Sequence, residues 1–500
     1  MAARLDIAGS FLVAGLVLQT GAGAQETTAL RRNEALLLLD YQVLRVRGDK
    51  PIDLMGFHLF DQVAEGLYVG AGMSAPLLRG AYGGFATFDL GAHAQQRLTS
   101  QVFATGGLAI GAGAGGRNVE NAKSLAGTGG FVKGYVGLGY DFGAFAVGAH
   151  LTKVKFSRTA ALGGSQADLF LEIPFGYLTG PFSAHGQPLS AADAREAAQA
   201  SSERMVALVL DNYRQQDPQG TFKGRFDIFD LQYAQFFATD TYWFVSLGMG
   251  YRGLPLSNQL LGGVGQRVPV TARLSLYGQL GIGSGLYAPE VIDTGPGLVV
   301  YPKVAAELAL SRDLGVSLSA GVLVAPKGTS KNRAVGIAFT RHLRANDGGS
   351  LPTYQAFRFG LFQETDLDVR YRDLDRGQVR MVGLQIDTLL DDHWYLPLRG
   401  TGAYSTYLGY PGYGELLGGI GWQTRLERGE RWQGFGQLMA GTNVHGLAVK
   451  GIAGGRYGLD DRTALSLNAG RIVARSAAGN RFTASSVSVG VEYLFSSPRW

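Results

Sequence analysis

From about Leu36 onward the hydrophobic residues recur at every second position, the period of a strand and not of a helix. In Tyr135 to Phe142 one face carries Val136, Leu138, Tyr140 and Phe142, and the other Tyr135, Gly137, Gly139 and Asp141. Asp366 to Arg372 divides in the same way, with Leu367, Val369 and Tyr371 on one side and Asp366, Asp368, Arg370 and Arg372 on the other. In Val487 to Tyr493 the valines and Tyr493 oppose Ser488, Gly490 and Glu492. Short polar or glycine turns join such segments, as at Asp141-Phe142-Gly143, Arg312-Asp313-Leu314-Gly315 and Leu459-Asp460-Asp461-Arg462. The pattern predicts an all-β chain of about 22 to 24 antiparallel strands. Soluble sandwiches also alternate, so alternation alone does not place the chain in a membrane.

The pattern repeats about three times, roughly over 36–180, 220–345 and 353–497. Leu260-Leu261-Gly262-Gly263-Val264-Gly265 matches Leu416-Leu417-Gly418-Gly419-Ile420-Gly421, and Tyr277-Gly278-Gln279-Leu280 matches Phe435-Gly436-Gln437-Leu438, with a weaker copy at Thr105-Gly106-Gly107-Leu108. One wide barrel made by amplification is expected over three small tandem barrels, because separate barrels would need linkers and none is visible. One segment departs from period two. Leu189 to Asp217 is rich in helix formers, has Ser190 as N-cap and Pro218 beyond its end, and predicts an inserted helix with Val206, Leu210 and Tyr213 on one face. It could cap a barrel rim, plug the lumen or dock a partner.

The N-terminus supplies the compartment. Met1 to Gln25 has a basic start at Arg4, an apolar stretch from Ile7 to Leu18 and small residues at Ala22-Gly23-Ala24, which resembles a bacterial secretory signal peptide spanning 1–24 with cleavage before Gln25. No later stretch has the uninterrupted apolar run that a spanning helix requires, so a membrane would be crossed by strands. Composition agrees with a large ordered body: 46% of residues are hydrophobic and 17% charged, with 75 glycines in 500 residues. The absence of Cys excludes disulfides, Cys-ligated metal and thiol nucleophiles. The net charge is +5, but the basic residues are scattered singly, which argues against nucleic acid as a partner.

Aromatics near strand ends, as in Tyr242-Trp243-Phe244 and His393-Trp394-Tyr395, fit girdles at a bilayer interface. The last strand pattern sets Ser488, Gly490, Tyr493 and Phe495 in the order polar, glycine, hydrophobic, aromatic. That ending resembles the assembly signal of outer-membrane β-barrel proteins of Gram-negative bacteria, although Ser496 to Trp500 extends past the aromatic at which the family usually stops. The resemblance implies a transmembrane barrel over 25–500, in contact with outer-membrane lipid and lipopolysaccharide, delivered by barrel-assembly machinery and open to a periplasmic or export partner.

Little chemistry competes with this reading. The sequence lacks the nucleophile-elbow, metalloprotease, phosphate-loop and EF-hand patterns. Gly111 to Gly116 sits in an alternating strand with no helix after it, so it reads as strand glycines and not as a dinucleotide loop. The seven histidines, His58, His93, His150, His185, His342, His393 and His445, show no metal-ligand spacing, and no cofactor or metal is expected. A lipid-modifying enzyme would need a serine beside His93, His150 or His445. Charges facing lipid are costly, so Asp366, Asp368, Arg370 and Arg372 should face the lumen, while Val136, Leu138, Tyr140, Val487, Val489 and Val491 face lipid. A wide barrel of this size leaves a lumen, which favours a passive pore or export channel over the enzyme or a non-conducting structural barrel. N-terminal sequencing of the mature protein from an outer-membrane fraction should begin at Gln25; a chain still starting at Met1 would remove the secretory argument.

Overall fold

The computed structural model describes residues 30–499 except 49, 81–82, 84, 115–128, 157–161, 201–202, 219–221, 255–256, 286–291, 344–351, 372–373, 376, 406–412, 426–429 and 477–478. The predicted signal peptide lies outside the described residues. The chain is all-β and antiparallel, but it forms three closed barrels of eight strands each and not one wide barrel. The first barrel comprises β1 (Arg31–Leu44), β2 (Ile52–Ala64), β3 (Leu67–Pro76), β4 (Ala86–Arg97), β5 (Val102–Ala114), β6 (Gly129–Asp141), β7 (Ala146–Phe156) and β8 (Gly163–Thr179). Among the described residues one α-helix, α1 (Ala191–Ala200), precedes the second barrel of β9 (Arg204–Gln215), β10 (Arg225–Phe236), β11 (Thr241–Arg252), β12 (Asn258–Pro269), β13 (Leu274–Gly285), β14 (Leu298–Ala309), β15 (Leu314–Val324) and β16 (Lys331–Leu343). The third barrel has β17 (Thr353–Tyr371), a two-residue hairpin arm β18 (Leu374–Asp375), then β19 (Val379–Leu389), β20 (Trp394–Ala403), β21 (Gly414–Gln423), β22 (Trp432–Asn443), β23 (Gly446–Gly458), β24 (Thr463–Arg475) and β25 (Arg481–Arg499).

Closure explains the correction from one barrel to three. The first strand of each unit pairs with its own eighth, Arg31 with Thr179, Arg204 with Leu343 and Thr353 with Arg499, so every unit satisfies its edges without a neighbour. An even strand number returns both ends of a barrel to one rim. Residues 180–203 and 344–352 therefore connect successive barrels from that rim.

The predicted helix over 189–217 is also corrected. Among its described residues Ala191–Ala200 is helical, and Arg204–Gln215 is β9, the first strand of the second barrel. Its run Met205 to Leu210 is apolar on both faces and fits either period, and pairing with β10 and β16 settles it as strand. Ser190 does cap the helix: its Oγ accepts from the Asp193 amide at 3.1 Å and donates to the Asp193 carboxylate at 2.7 Å. Ala197 and Leu189 pack with Leu30, Leu178 and Tyr354, so the helix lies on the rim between the first and third barrels and does not enter a lumen. The preceding linker is stapled to the third barrel by bridges of Gly180 with Ser496, His185 with Tyr354 and Pro188 with Thr353.

The barrels touch one another in pairs. Besides that staple, Thr442 Oγ1 donates to the Gly250 carbonyl at 2.9 Å between the third and second barrels. Lys327 Nζ reaches the Leu78 carbonyl at 3.1 Å between the second and first. Turns at the rim that holds both ends of each barrel are short and closed by side chains: Thr99, Thr271, Ser311, Asp391 and Asp460 each accept from an amide two or three residues on. In Asp391, the Trp394 and His393 amides hold the carboxyl below its usual range.

Val136, Leu138, Tyr140, Val487 and Val489 are exposed on the outer walls. Val491, in phase with Val487 and Val489, is buried. The matched glycine segments fall in β12 and β21, the fourth strand of their barrels. Gly265 and Gly421 stand there because the rings of Tyr242 and Tyr395 cross them; a Cβ at either would lie 2.2 Å from the ring. Gly421→Val should therefore destabilise the third barrel by about 1–3 kcal/mol through overpacking. Denaturant unfolding in detergent measures this, and an unchanged midpoint would contradict the packing.

Candidate functional site in the barrel interiors

Eight strands enclose an interior just wide enough for side chains to fill. Here the filling is charged in the middle. Lys133 Nζ donates to Asp40 at 2.6 Å in the first barrel, Lys303 to Asp211 at 3.5 Å in the second, and Lys450 to Glu364 at 2.5 Å in the third. In every case the lysine is on the sixth strand and the acid on the first, so one ion pair crosses each lumen. All six residues are buried.

Each brace is embedded in further contacts. His58 lies between Asp40 at 3.4 Å and Asp89 at 3.2 Å. Tyr301 donates to Asp211 at 3.0 Å. Lys450 also meets Glu415 at 2.8 Å, and Arg399 donates to Glu364 at 2.6 Å. Glycine on the adjoining strand makes room for these side chains: a Cβ at Gly56 or Gly336 would stand 1.9 Å from the Asp40 or Asp211 carboxylate. Nearer the short-turn rim a second charged layer follows. It contains His93 with Tyr135 and Glu172, His342 with Glu307 and Glu203, and Arg358 and Arg456 around Asp387 and Glu492.

The opposite end of each lumen is apolar. Leu44, Ile52, Phe85, Phe131 and Phe156 close the first barrel. Phe226, Ile228, Val299 and Leu323 close the second, and Val369, Val379, Met381, Ile472 and Phe482 the third. In the third barrel the space beside Arg358, Asp387 and Glu492 is ≈ 10 Å³, on the order of one water.

The predicted lumen charges separate. Asp366 is fully buried inside the third barrel with neither carboxylate oxygen hydrogen-bonded. Asp368 and Arg370 are exposed instead, and Arg372 lies outside the described residues. The cause is a bulge between Leu367 and Arg370, where Asp368 takes a φ of 48° and the strand changes phase, turning Val369 inward. Carboxylate oxygens of Glu364, Asp366 and Glu415 lie within 4.8 Å of one another and could hold a metal ion, although the Lys450 ammonium already stands against two of them. In the ending motif, Ser488 faces inward and donates to Asn468 at 2.7 Å, and Gly490 packs against Phe362. Tyr493 and Phe495 stack outside, and the strand continues past them to Arg499.

Among the described residues, neither His93 nor His150 is hydrogen-bonded to a serine. His93 contacts Tyr135, Glu172 and Thr105, His150 stacks on Phe170 with Nε2 unpaired, and His445 stacks on Tyr371 and Phe482. Gly111 and Gly113 are strand residues of β5, as expected, and 115–116 lie outside the described residues. The lysine braces escaped the sequence reading, yet a signal existed: Lys133 is the lone charge in the glycine-rich apolar stretch 129–140 and Lys450 in 446–455, a position that must face inward.

Closed antiparallel barrels with apolar outer walls and charged interiors agree with the all-β, antiparallel expectation. No protein-family model matches the chain, and no curated protein does. Among solved structures, it is similar to a mutant ferric enterobactin receptor of Pseudomonas aeruginosa in complex with enterobactin, at 10% identity over 94% of this chain and 82% of that one, with a TM-score of 0.29. The siderophore receptor PirA of the same organism matches at 11% identity over 94% and 81%, TM-score 0.28. KdgM porin matches at 9% identity over 57% of this chain and 98% of its own, TM-score 0.16. Neither strand closure nor a substrate follows from overlaps of this size.

Removing the cation from the third barrel tests the brace. Lys450→Met leaves Glu364, Asp366 and Glu415 buried together and should cost about 3–5 kcal/mol, as breaking a buried pair does. Equilibrium unfolding in detergent reads this; a loss below about 1 kcal/mol, the value of an exposed pair, would show that the lysine does not balance the cluster.

Proposed function

We propose that the chain is an integral outer-membrane protein, a membrane scaffold of three sealed barrels and not a route through the membrane. The observation that carries this is the closure of every lumen by a cross-lumen ion pair and an apolar plug. Strands β3, β20 and β21, each of 10 residues, match the length a tilted strand needs to span a bilayer. No described helix is long and apolar enough to cross a membrane. Walls bearing Leu108, Leu151, Leu318 and Trp432, exposed by 69%, 69%, 66% and 70%, support lipid as the surrounding medium.

Orientation follows from the connections. Outer-membrane barrels keep short turns on the periplasmic side, which puts both ends of each barrel, and α1 with them, in the periplasm. Signal-peptide cleavage near Ala24, insertion by the barrel-assembly machinery and a periplasmic partner at that rim belong to the same proposal. The pore or export-channel expectation relied on a lumen wider than side chains could fill, and eight-stranded units do not offer one.

Planar-bilayer recording of the purified full chain should show no unitary conductance. Deleting 190–200 should not create any, since α1 sits outside the lumens. Ion-conducting steps from the intact chain would overturn the scaffold reading and restore the pore.

A further inference from the structure

The outer wall of the second barrel carries a row of like charges that its fold does not account for. Arg214 of β9 stands directly opposite Arg225 of β10 on one side and Arg333 of β16 on the other. All three are exposed, and they alternate with the inward Tyr213, Phe226 and Ala334, so the row lies on the outside. Lys331 is exposed on the same face of β16. Like charges at opposed strand positions destabilise a sheet. The acid of this wall, Asp227, is taken by Arg252 and Asn212, and Asp217 lies in the turn beyond β9. Among the described residues none forms an ion pair with Arg214, Arg225 or Arg333.

The row also marks a boundary. Continuing along β16 on the same face come Val335, Ile337 and Phe339, exposed by 61%, 37% and 51%. A cationic row directly above an apolar stripe is complementary to an amphiphile with an anionic head. Guanidinium forks match phosphate oxygens in pairs, which makes arginine selective for phosphate. Strands about 4.8 Å apart spread the three side chains over about 10 Å, more than a single phosphate occupies.

The structure assigns Arg214, Arg225 and Arg333, with Lys331, to a binding site for a phosphorylated lipid of the leaflet at the long-connection rim. The assignment rests on the membrane reading above and names the lipid chemistry at one wall. Its test is native mass spectrometry of the full chain released from detergent micelles after incubation with lipid A, with lipid A stripped of its phosphates, or with inorganic phosphate.

Wild type should retain lipid A and neither of the other two. Losing each arginine should lower retention about fivefold, as expected for a basic side chain beside an anionic membrane surface. The triple variant Arg214→Gln, Arg225→Gln, Arg333→Gln should retain at least tenfold less, with an unchanged or higher unfolding temperature because the like-charge row is relieved. Arg214→Gln alone provides the fivefold test should the triple variant fail to fold. Lipid A retained equally by the variants, or dephosphorylated lipid retained equally by wild type, overturns the site. Inorganic phosphate bound as tightly as lipid A makes it a soluble-anion site and overturns the lipid assignment. Wild-type protein recovered folded without detergent would instead sink the membrane reading, and the site with it.

Discussion

Backbone N–H and C=O groups have no water to turn to inside a bilayer, so a strand that faces lipid must be paired on both edges. In this chain the requirement is met eight strands at a time, when β1 meets β8, β9 meets β16 and β17 meets β25. Closure at eight fixes everything else about the interior. The lumen is narrow, its filling must come from side chains, and strands inside it cannot all carry large residues. Glycine beside Asp40, Asp211, Tyr242 and Tyr395 is the counterpart of that constraint, because the bulk of one strand occupies the space that a Cβ on the next would take.

The repeated lysine brace is best understood in the same terms. A lumen of polar side chains offers little hydrophobic gain, and in a low dielectric an unpaired charge is expensive whereas a paired one is tolerated. The first and sixth strands lie across the barrel from each other, so a charge on one finds its partner on the other. The three barrels keep this geometry while changing the residues around it. The first uses His58 and Asp89, the second Tyr301, and the third adds Arg399 and Glu415. Such variation fits a bracing role, since a shared catalytic or transport chemistry would hold the neighbours constant as well.

Much of the architecture was legible in the sequence. Alternation of Val136 and Leu138 with Gly137 and Gly139 describes the wall of a strand directly, and an Asp such as Asp460 in a turn can close it by accepting two amides. What was hidden is non-local. Whether a strand closes on its eighth or its twenty-fourth neighbour is decided by curvature, and no residue spells it. The segment Met205 to Leu210 reads as helix or strand with equal ease until β10 and β16 offer pairing. Asp368 and Arg370 illustrate a third limit: one bulge shifts the phase of a strand, and period-two reasoning then assigns every later side chain to the wrong face.

Charge placement separates two uses of arginine in one molecule. Arg358, Arg399 and Arg456 lie inside the third barrel, each fastened to Asp387, Glu364 or Glu492, and their charge is spent within the protein. Arg214, Arg225 and Arg333 lie outside the second barrel, side by side across three strands, and among the described residues no acid pairs with them. The backbone brings both sets close, yet only the inner set gains from proximity. In water the outer set would favour scattered positions, because each neighbour adds repulsion. On the membrane reading proposed above, the same row at the edge of an apolar wall would meet a plane of anionic headgroups that cancels its repulsion, and its spacing would then answer to the membrane surface as much as to the barrel.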